Sequence, residues 1–261
     1  MRAYLYVAKM RLLSSLAYRF DVFTSLGTGV IIAVASIFLW KAAYSGTDSV
    51  SGVDESQMIA YVMVSALLTA FFSISVAQTL PEKISQGDIV IDFYRPINLV
   101  IKYFAEDLGL AAGALITRVI PMLIFLMVCF GVSAPKTSFL LFMLSTALSF
   151  VIIWTISAII AMLSFWFFQL GSLSDVKDGI VLLLSGQYIP LWLFPKEIQN
   201  VLSFLPFQHI YQTPLSIYIG RLKPEECLFA LLIELVWAVF LILALFLIWS
   251  KARRKVLIQG G

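Results

Sequence analysis

Charge is scarce in this sequence: Asp, Glu, Lys and Arg make up 13% of its 261 residues, against about a quarter in soluble domains. So little charge cannot cover a water-facing globular surface, which excludes a soluble fold for most of the chain. Metal-ligating and nucleophilic residues are scarce too. His209 is the only histidine, and Cys129 and Cys227 form no CxxC pair, so neither a zinc site nor a disulfide framework is expected. Both thiols read as small apolar packers, and His209 as an interfacial polar residue. No HExxH or GxSxG occurs, which leaves hydrolytic chemistry without support. No phosphate loop of the G-x-x-x-x-G-K-[ST] type is present, nor any Gly-Lys pair, so the chain cannot cradle nucleotide in that way. The net charge of +3 carries no signal for nucleic acid.

What fills the chain instead is hydrocarbon, with 61% hydrophobic residues and a mean hydropathy of +0.97. The apolar runs approach the roughly 20 residues needed to cross a bilayer. They predict six transmembrane helices over about 22–40, 58–76, 108–130, 139–165, 180–194 and 227–249. The fifth is short, interrupted by Gly186 and Pro190 and closed by Pro195, and is expected to kink or stop part-way. The start has no long apolar core and no small-residue cleavage site, so the mature chain is expected to begin at Met1. Residues 1–20 place Tyr6, Met10, Leu13, Ala17 and Phe20 at helical spacing among basic residues. That pattern fits a helix lying on the membrane surface, with a solvated leader as the alternative.

The Lys and Arg residues divide unevenly between the two sides of these spans. One side receives Lys41, Lys136, Lys196, Arg221 and Lys223, and the other receives the rest apart from Arg118. The positive-inside rule puts the richer side, with both termini, in the cytoplasm. The polar links after the second and fourth spans are then cytoplasmic, and the segment 196–226, with two apolar pieces too short to span, dips in from outside.

Between the second and third spans lies PEKISQGDIVIDFYRP, residues 81–96. Pro81 suits a first helical turn, Glu82 complements a helix N-terminus and Gly87 suits a terminator, so 81–86 is expected to be a short surface helix. Ile84, Ile89, Ile91 and Phe93 supply apolar contacts, and Glu82, Lys83, Asp88, Asp92 and Arg95 supply charge of both signs. That mixture fits either a docking surface for a soluble partner or an ordinary solvated loop. Two ionisable residues fall inside spans, Arg118 in the third and Glu234 in the sixth. Either alone is costly in lipid, and their opposite signs suggest a mutual pair, either a structural salt bridge or part of a gate or polar substrate site. Pro121, just beyond Arg118, is placed to kink the third span.

The short helix followed by G-D-x-x-x-D-F-Y-R-P resembles the coupling region of the ABC type-2 permease family. A second block, SGQYIPLWLFPKEIQNVLSFLPFQHIYQTPLSIYIG, is similar to the bacterial branch of that family, with Gly186, Pro190, Pro195, Pro206, Phe207, Pro214 and Gly220 at its G-x-x-I-P, L-F-P, L-P-F and P-x-x-I-x-x-G positions. The resemblance implies an all-α integral membrane fold of six spans forming one domain. It adds an N-terminal interfacial helix, a cytoplasmic coupling helix and external re-entrant helices before the sixth span. It also implies the permease subunit of an ATP-driven exporter in a bacterial inner membrane, paired with a second permease subunit, identical or paralogous, and in contact with membrane lipids. ATP and Mg would be bound by a separate ABC ATP-binding subunit, none by this chain, with no nucleic acid involved. Coupling falls to Pro81, Glu82, Lys83, Gly87, Asp88, Asp92, Arg95 and Pro96. Phe93 and Tyr94 stand before Arg95 where the family has a leucine. A secondary transporter, or a membrane immunity or assembly protein, are the rival classes. The isolated chain is expected to hydrolyse no ATP; appreciable turnover by contaminant-free protein in detergent would contradict this reading.

Overall fold

The computed structural model describes residues 2–47, 49–94, 96–131, 139–166 and 171–259; Lys136 and Arg95 lie outside the described residues. Its frame is helical. In chain order come α1 (Arg2–Ala17), α2 (Arg19–Ala43), a minimal hairpin of β1 (Ser49–Val50) and β2 (Val53–Asp54), and α3 (Glu55–Phe71). Then follow α4 (Val76–Gln86), α5 (Ile89–Phe93), α6 (Leu99–Ala114), a π turn (Leu115–Val119) and α7 (Ile120–Phe130). The chain continues through α8 (Phe139–Leu163), α9 (Gly171–Leu184), α10 (Lys196–Ser203), α11 (Gln212–Tyr218) and α12 (Pro224–Gln259).

Five stretches among the described residues are long and apolar enough to cross a membrane: Arg19–Ala43, Glu55–Gln86, Leu99–Phe130, Phe139–Leu163 and Pro224–Arg254. They contain four of the six expected spans whole and 139–163 of the fourth, expected over 139–165. The stretch 180–194 is not a continuous helix. Its helical part, α9, starts earlier, at Gly171, and ends at Leu184 after 14 residues, a rise of about 21 Å against a hydrocarbon core of roughly 30 Å. Gly186 then turns the chain with φ +83°, and Pro190 opens a 3-10 turn over Leu191–Leu193. The polar link expected before this span is partly helix, with Ser174 and Lys177 buried.

The third span is longer than its apolar run. Asn98 caps α6, its side chain accepting from the amides of Val100 and Ile101 at 3.0 and 3.3 Å, so the helix begins nine residues before Leu108. The disturbance expected at Pro121 appears as the π turn just before it. There the Ile120 amide reaches back to the Leu115 carbonyl, widening the helix where proline has no amide to give.

α8 is the central post. Its buried Ser145, Ser149, Thr155, Ser157, Ala158 and Ala161 are small enough to let neighbouring helices approach closely, and α12, α4 and α11 pack on it. α1 lies against α6 instead of standing alone. Gly109 and Gly113 form the contact: a Cβ at the first would overlap the Ala8 carbonyl, and one at the second the Ser15 hydroxyl. The Tyr4 hydroxyl accepts from the Asn98 amide at 2.9 Å. The stripe of Tyr6, Met10, Leu13 and Phe20 points outward. Gly109→Ala should therefore separate α1 from α6 and cost about 1–3 kcal/mol by overpacking. Thermal unfolding in detergent checks this, with Gly27→Ala, which meets no neighbour, expected to leave stability nearly unchanged.

Candidate functional site

Phe93 stacks on Trp249 with ring centroids 5.7 Å apart and planes 17° apart, so α4 and α5 form a ledge at the end of the bundle that holds the C-terminal end of α12. The ledge is built differently from the expected isolated helix over 81–86. α4 begins at Val76, five residues before Pro81, and Pro81 sits inside it. The early start has a cause in α6. Asp107 accepts from the Ser75 amide at 2.9 Å, the Ser75 hydroxyl at 2.7 Å and the Val76 amide at 3.2 Å. A carboxylate thus occupies the positive end of α4 and satisfies its free amides. Trp154 of α8 donates to the same carboxylate at 3.0 Å, so one buried group ties α4, α6 and α8. At the other end of α4, Gly87 takes φ +80°, the left-handed cap expected of it.

α5 is fastened by a second carboxylate. Asp92 is 4% exposed and receives Lys102 of α6 at 2.5 Å, Lys83 of α4 at 2.9 Å and the Tyr103 hydroxyl at 3.0 Å. Glu106 approaches Lys102 at 3.6 Å. Burial alone would raise the Asp92 carboxyl, but the hydrogen bonds and charges of Lys102 and Lys83 bring it below the ordinary carboxylate value. Asp92 is consequently an internal brace, and Lys83, with 31% of its side chain exposed, is held to it.

What the ledge exposes is Glu82, Ser85, Gln86, Gly87, Asp88 and Pro96, with Val90, Ile91 and Tyr94 as apolar contacts. Ile91 is 57% and Tyr94 84% exposed, so of the two aromatics that depart from the family pattern Tyr94 stands on the open face, while Phe93 packs on Trp249. Ile84 and Ile89 turn inward. Arg95 falls outside the described residues.

The second expected block folds back into the bundle. The Ser149 hydroxyl donates to the His209 carbonyl at 2.7 Å, ten residues past Phe139 and so about 15 Å along α8 from its first residue. His209 is buried against Thr213 at 3.0 Å, not placed at an interface. α11 then climbs back until Tyr218 meets Phe142, centroids 5.1 Å apart. Pro206 opens a 3-10 turn with Phe207, Pro214 lies buried within α11, and Pro195 caps α10. Gly220 ends the segment with φ +73°.

The break in the helix at Gly186 is held by groups that sequence reasoning did not single out. The Gln212 amide donates to the Ser185 carbonyl at 2.9 Å, and its side-chain oxygen accepts from the Leu191 amide at 3.0 Å. The Tyr61 hydroxyl lies within reach of both the Gly186 carbonyl and Gln212 Oε1. Ser65 donates to the Gln187 carbonyl at 2.6 Å, and Gln187 Nε2 donates to Thr69 at 3.0 Å. A Cβ at Gly186 would meet Gln212 Oε1 at 2.5 Å. Backbone freed by the break is thus satisfied from α3 and α11, as irregular structure in an apolar setting requires.

Arg118 and Glu234 do not meet. Glu234, fully buried on α12, accepts from Ser145 at 2.8 Å. Arg118 has no hydrogen-bond or ionic partner among the described residues, and its Nε is buried without one. It lines a groove of about 430 Å³ between α2, α3 and α7, shared with Thr28, Ser36, Ala66, Met122 and Tyr188. The pairing failed because charge sign alone cannot say which helices are neighbours.

A family model, that of the ABC-2 family transporter protein, matches residues 30–260. Among curated proteins, none matches the chain at a significant level.

The Asp92 brace generates a pH test. Because the native carboxyl lies below its ordinary value of 3.8, its stabilisation is fully present above that pH and lost as the pH falls through the lowered native value. Asp92→Asn should leave Lys102 with only the longer Glu106 contact at 3.6 Å and cost up to about 3 kcal/mol at pH 7. The difference in thermal unfolding between wild type and variant should shrink in acid below about pH 4. The double variant Asp92→Leu with Lys102→Met should lose less than the sum of its single changes.

Proposed function

Since the chain belongs to the ABC-2 family of transporter proteins, a multi-pass membrane family of permeases without a nucleotide site of their own, we propose that it is the permease subunit of an ATP-driven exporter. It works as a dimer with a second permease subunit, in a bacterial inner membrane with both termini cytoplasmic. A separate ABC ATP-binding subunit carries ATP and Mg. The excess of Lys and Arg on the side of α4 and α5 supports this orientation.

The observation that carries the reading is the ledge of α4 and α5. A soluble subunit can move membrane helices only through a surface outside the membrane. The ledge offers one with exposed Val90, Ile91 and Tyr94 beside Glu82 and Asp88. Its back is fixed to three helices: Asp107 ties α4 to α6 and α8, Asp92 ties α5 to α6, and Phe93 stacks on α12. Force on the open face therefore passes into the bundle without being lost in a flexible loop. The backward-folded segment 196–226 serves as the external re-entrant closure of the pathway, with Gly186 to Pro190 as the break that admits it. This coupling surface has no use in a secondary transporter or a non-transporting immunity protein.

Charge reversal at Glu82 and Asp88 should abolish export and weaken recovery of the ATP-binding subunit while leaving membrane abundance normal. Gly87→Val, which meets no neighbour but must adopt a left-handed backbone, should act likewise at a folding cost of about 1–2 kcal/mol. Co-purification, ATP hydrolysis and export are measured together. Normal export with the ATP-binding subunit firmly bound would move the coupling surface elsewhere, to α9 or α1.

A further inference from the structure

Arg118 lies twelve residues before Phe130, about 18 Å along the helix and so well inside a bilayer of roughly 30 Å. A guanidinium at that depth is costly unless an anion or water meets it. No carboxylate lines the groove it borders, and no group among the described residues pairs with it. The hydroxyls nearby do not substitute for an anion. Thr24, Ser25 and Thr28 donate to carbonyls of their own helix at 2.9–3.1 Å, so they turn lone pairs to the groove. Ser36, Ser65, Thr69, Gln187 and Tyr188 add polar groups, and the apolar part of the wall comes from Leu26, Ile32, Val62 and Met122. The groove thus combines one cation, several acceptors and room for an alkyl chain.

From this we propose that the groove between α2, α3 and α7 binds an amphiphile bearing one acidic group, such as a phosphate or carboxylate, with the acid on Arg118 and the chain along Ile32 and Met122. Hydroxyl or ammonium groups beside the acid would donate to Thr24, Ser25 and Thr28. The same chemistry is offered by a transported anion and by a resident anionic phospholipid. Assigning cargo rests on the exporter reading above, whereas binding itself does not.

The test is binding to the purified permease without its ATP-binding subunit, so a failed transport assay leaves it intact. Dodecyl phosphate and the uncharged dodecyl maltoside are titrated by native mass spectrometry and equilibrium dialysis. Arg118→Gln should weaken dodecyl phosphate by about tenfold or more, the contribution of a charge-assisted contact, and leave dodecyl maltoside unchanged. Arg118→Lys should keep most of the affinity. Gly29→Leu, which fills the groove where an added Cβ meets only Met122 at 3.9 Å, should weaken both ligands. A phosphatidylglycerol that survives delipidation in the wild type, and is absent from Arg118→Gln, would identify a resident lipid as the source. Its release by dodecyl phosphate would place both at one site. Equal dodecyl phosphate affinity in wild type, Arg118→Gln and Gly29→Leu would overturn the proposal. So would loss of the dimer in Arg118→Gln with binding unchanged, which would give the guanidinium to the second subunit.

Discussion

A polar group inside an apolar medium must find its partner within the protein, and the architecture depends on that constraint. It makes the spans helical, since each helix satisfies its own backbone. It also decides what happens where a helix stops. α4 starts next to the bundle because Asp107 meets its first amides, and the chain breaks at Gly186 because Tyr61, Ser65 and Gln212 meet the groups set free. At both breaks the irregular backbone meets side chains supplied by α3, α6 and α11.

The two buried aspartates, Asp92 and Asp107, hold the ledge in different ways. Asp107 has only hydrogen-bond donors around it, from backbone, hydroxyl and indole, and so sets a geometry. Asp92 has two ammonium partners, Lys83 on α4 and Lys102 on α6, and so joins α5 to both. Buried ion pairs are weak contributors to net stability but costly to break one partner at a time. That property suits a joint that must not slip under load. The open face of the ledge, by contrast, carries no internal ion pair at Glu82 or Asp88 among the described residues.

Much of this was legible in the sequence. Apolar length alone located five spans, because about 20 residues of hydrocarbon have few other uses. Gly87 was legible as a cap, and the break after Leu184 was foreshadowed by Gly186 and Pro190. Pro81 misled, because its residue type suits a first turn and nothing local announces that Asp107, 26 positions away, opens the helix earlier. The same blindness to distance produced the Arg118 and Glu234 pairing and missed the roles of Lys102, Tyr61 and Gln212. A sequence-level hint did exist for Lys102 and Asp107: both are ionisable residues close to an apolar run, where partners are obligatory. The GxxxG spacing of Gly109 and Gly113 was a second readable signal of helix contact.

On the exporter reading proposed above, the ledge and the lower part of α6 move as one rigid body when ATP-binding subunits close. Spin labels at Ser85 on α4 and Ile101 on α6, both exposed, report this directly by pulsed electron resonance on the assembled exporter. A rigid ledge keeps the Ser85 to Ile101 distance unchanged between nucleotide-free and ATP-bound states, while the distance between the Ser85 labels of the two permease subunits changes. A Ser85 to Ile101 distance that shifts with nucleotide would mean that the ledge flexes on its own and that Asp92 does not carry the load.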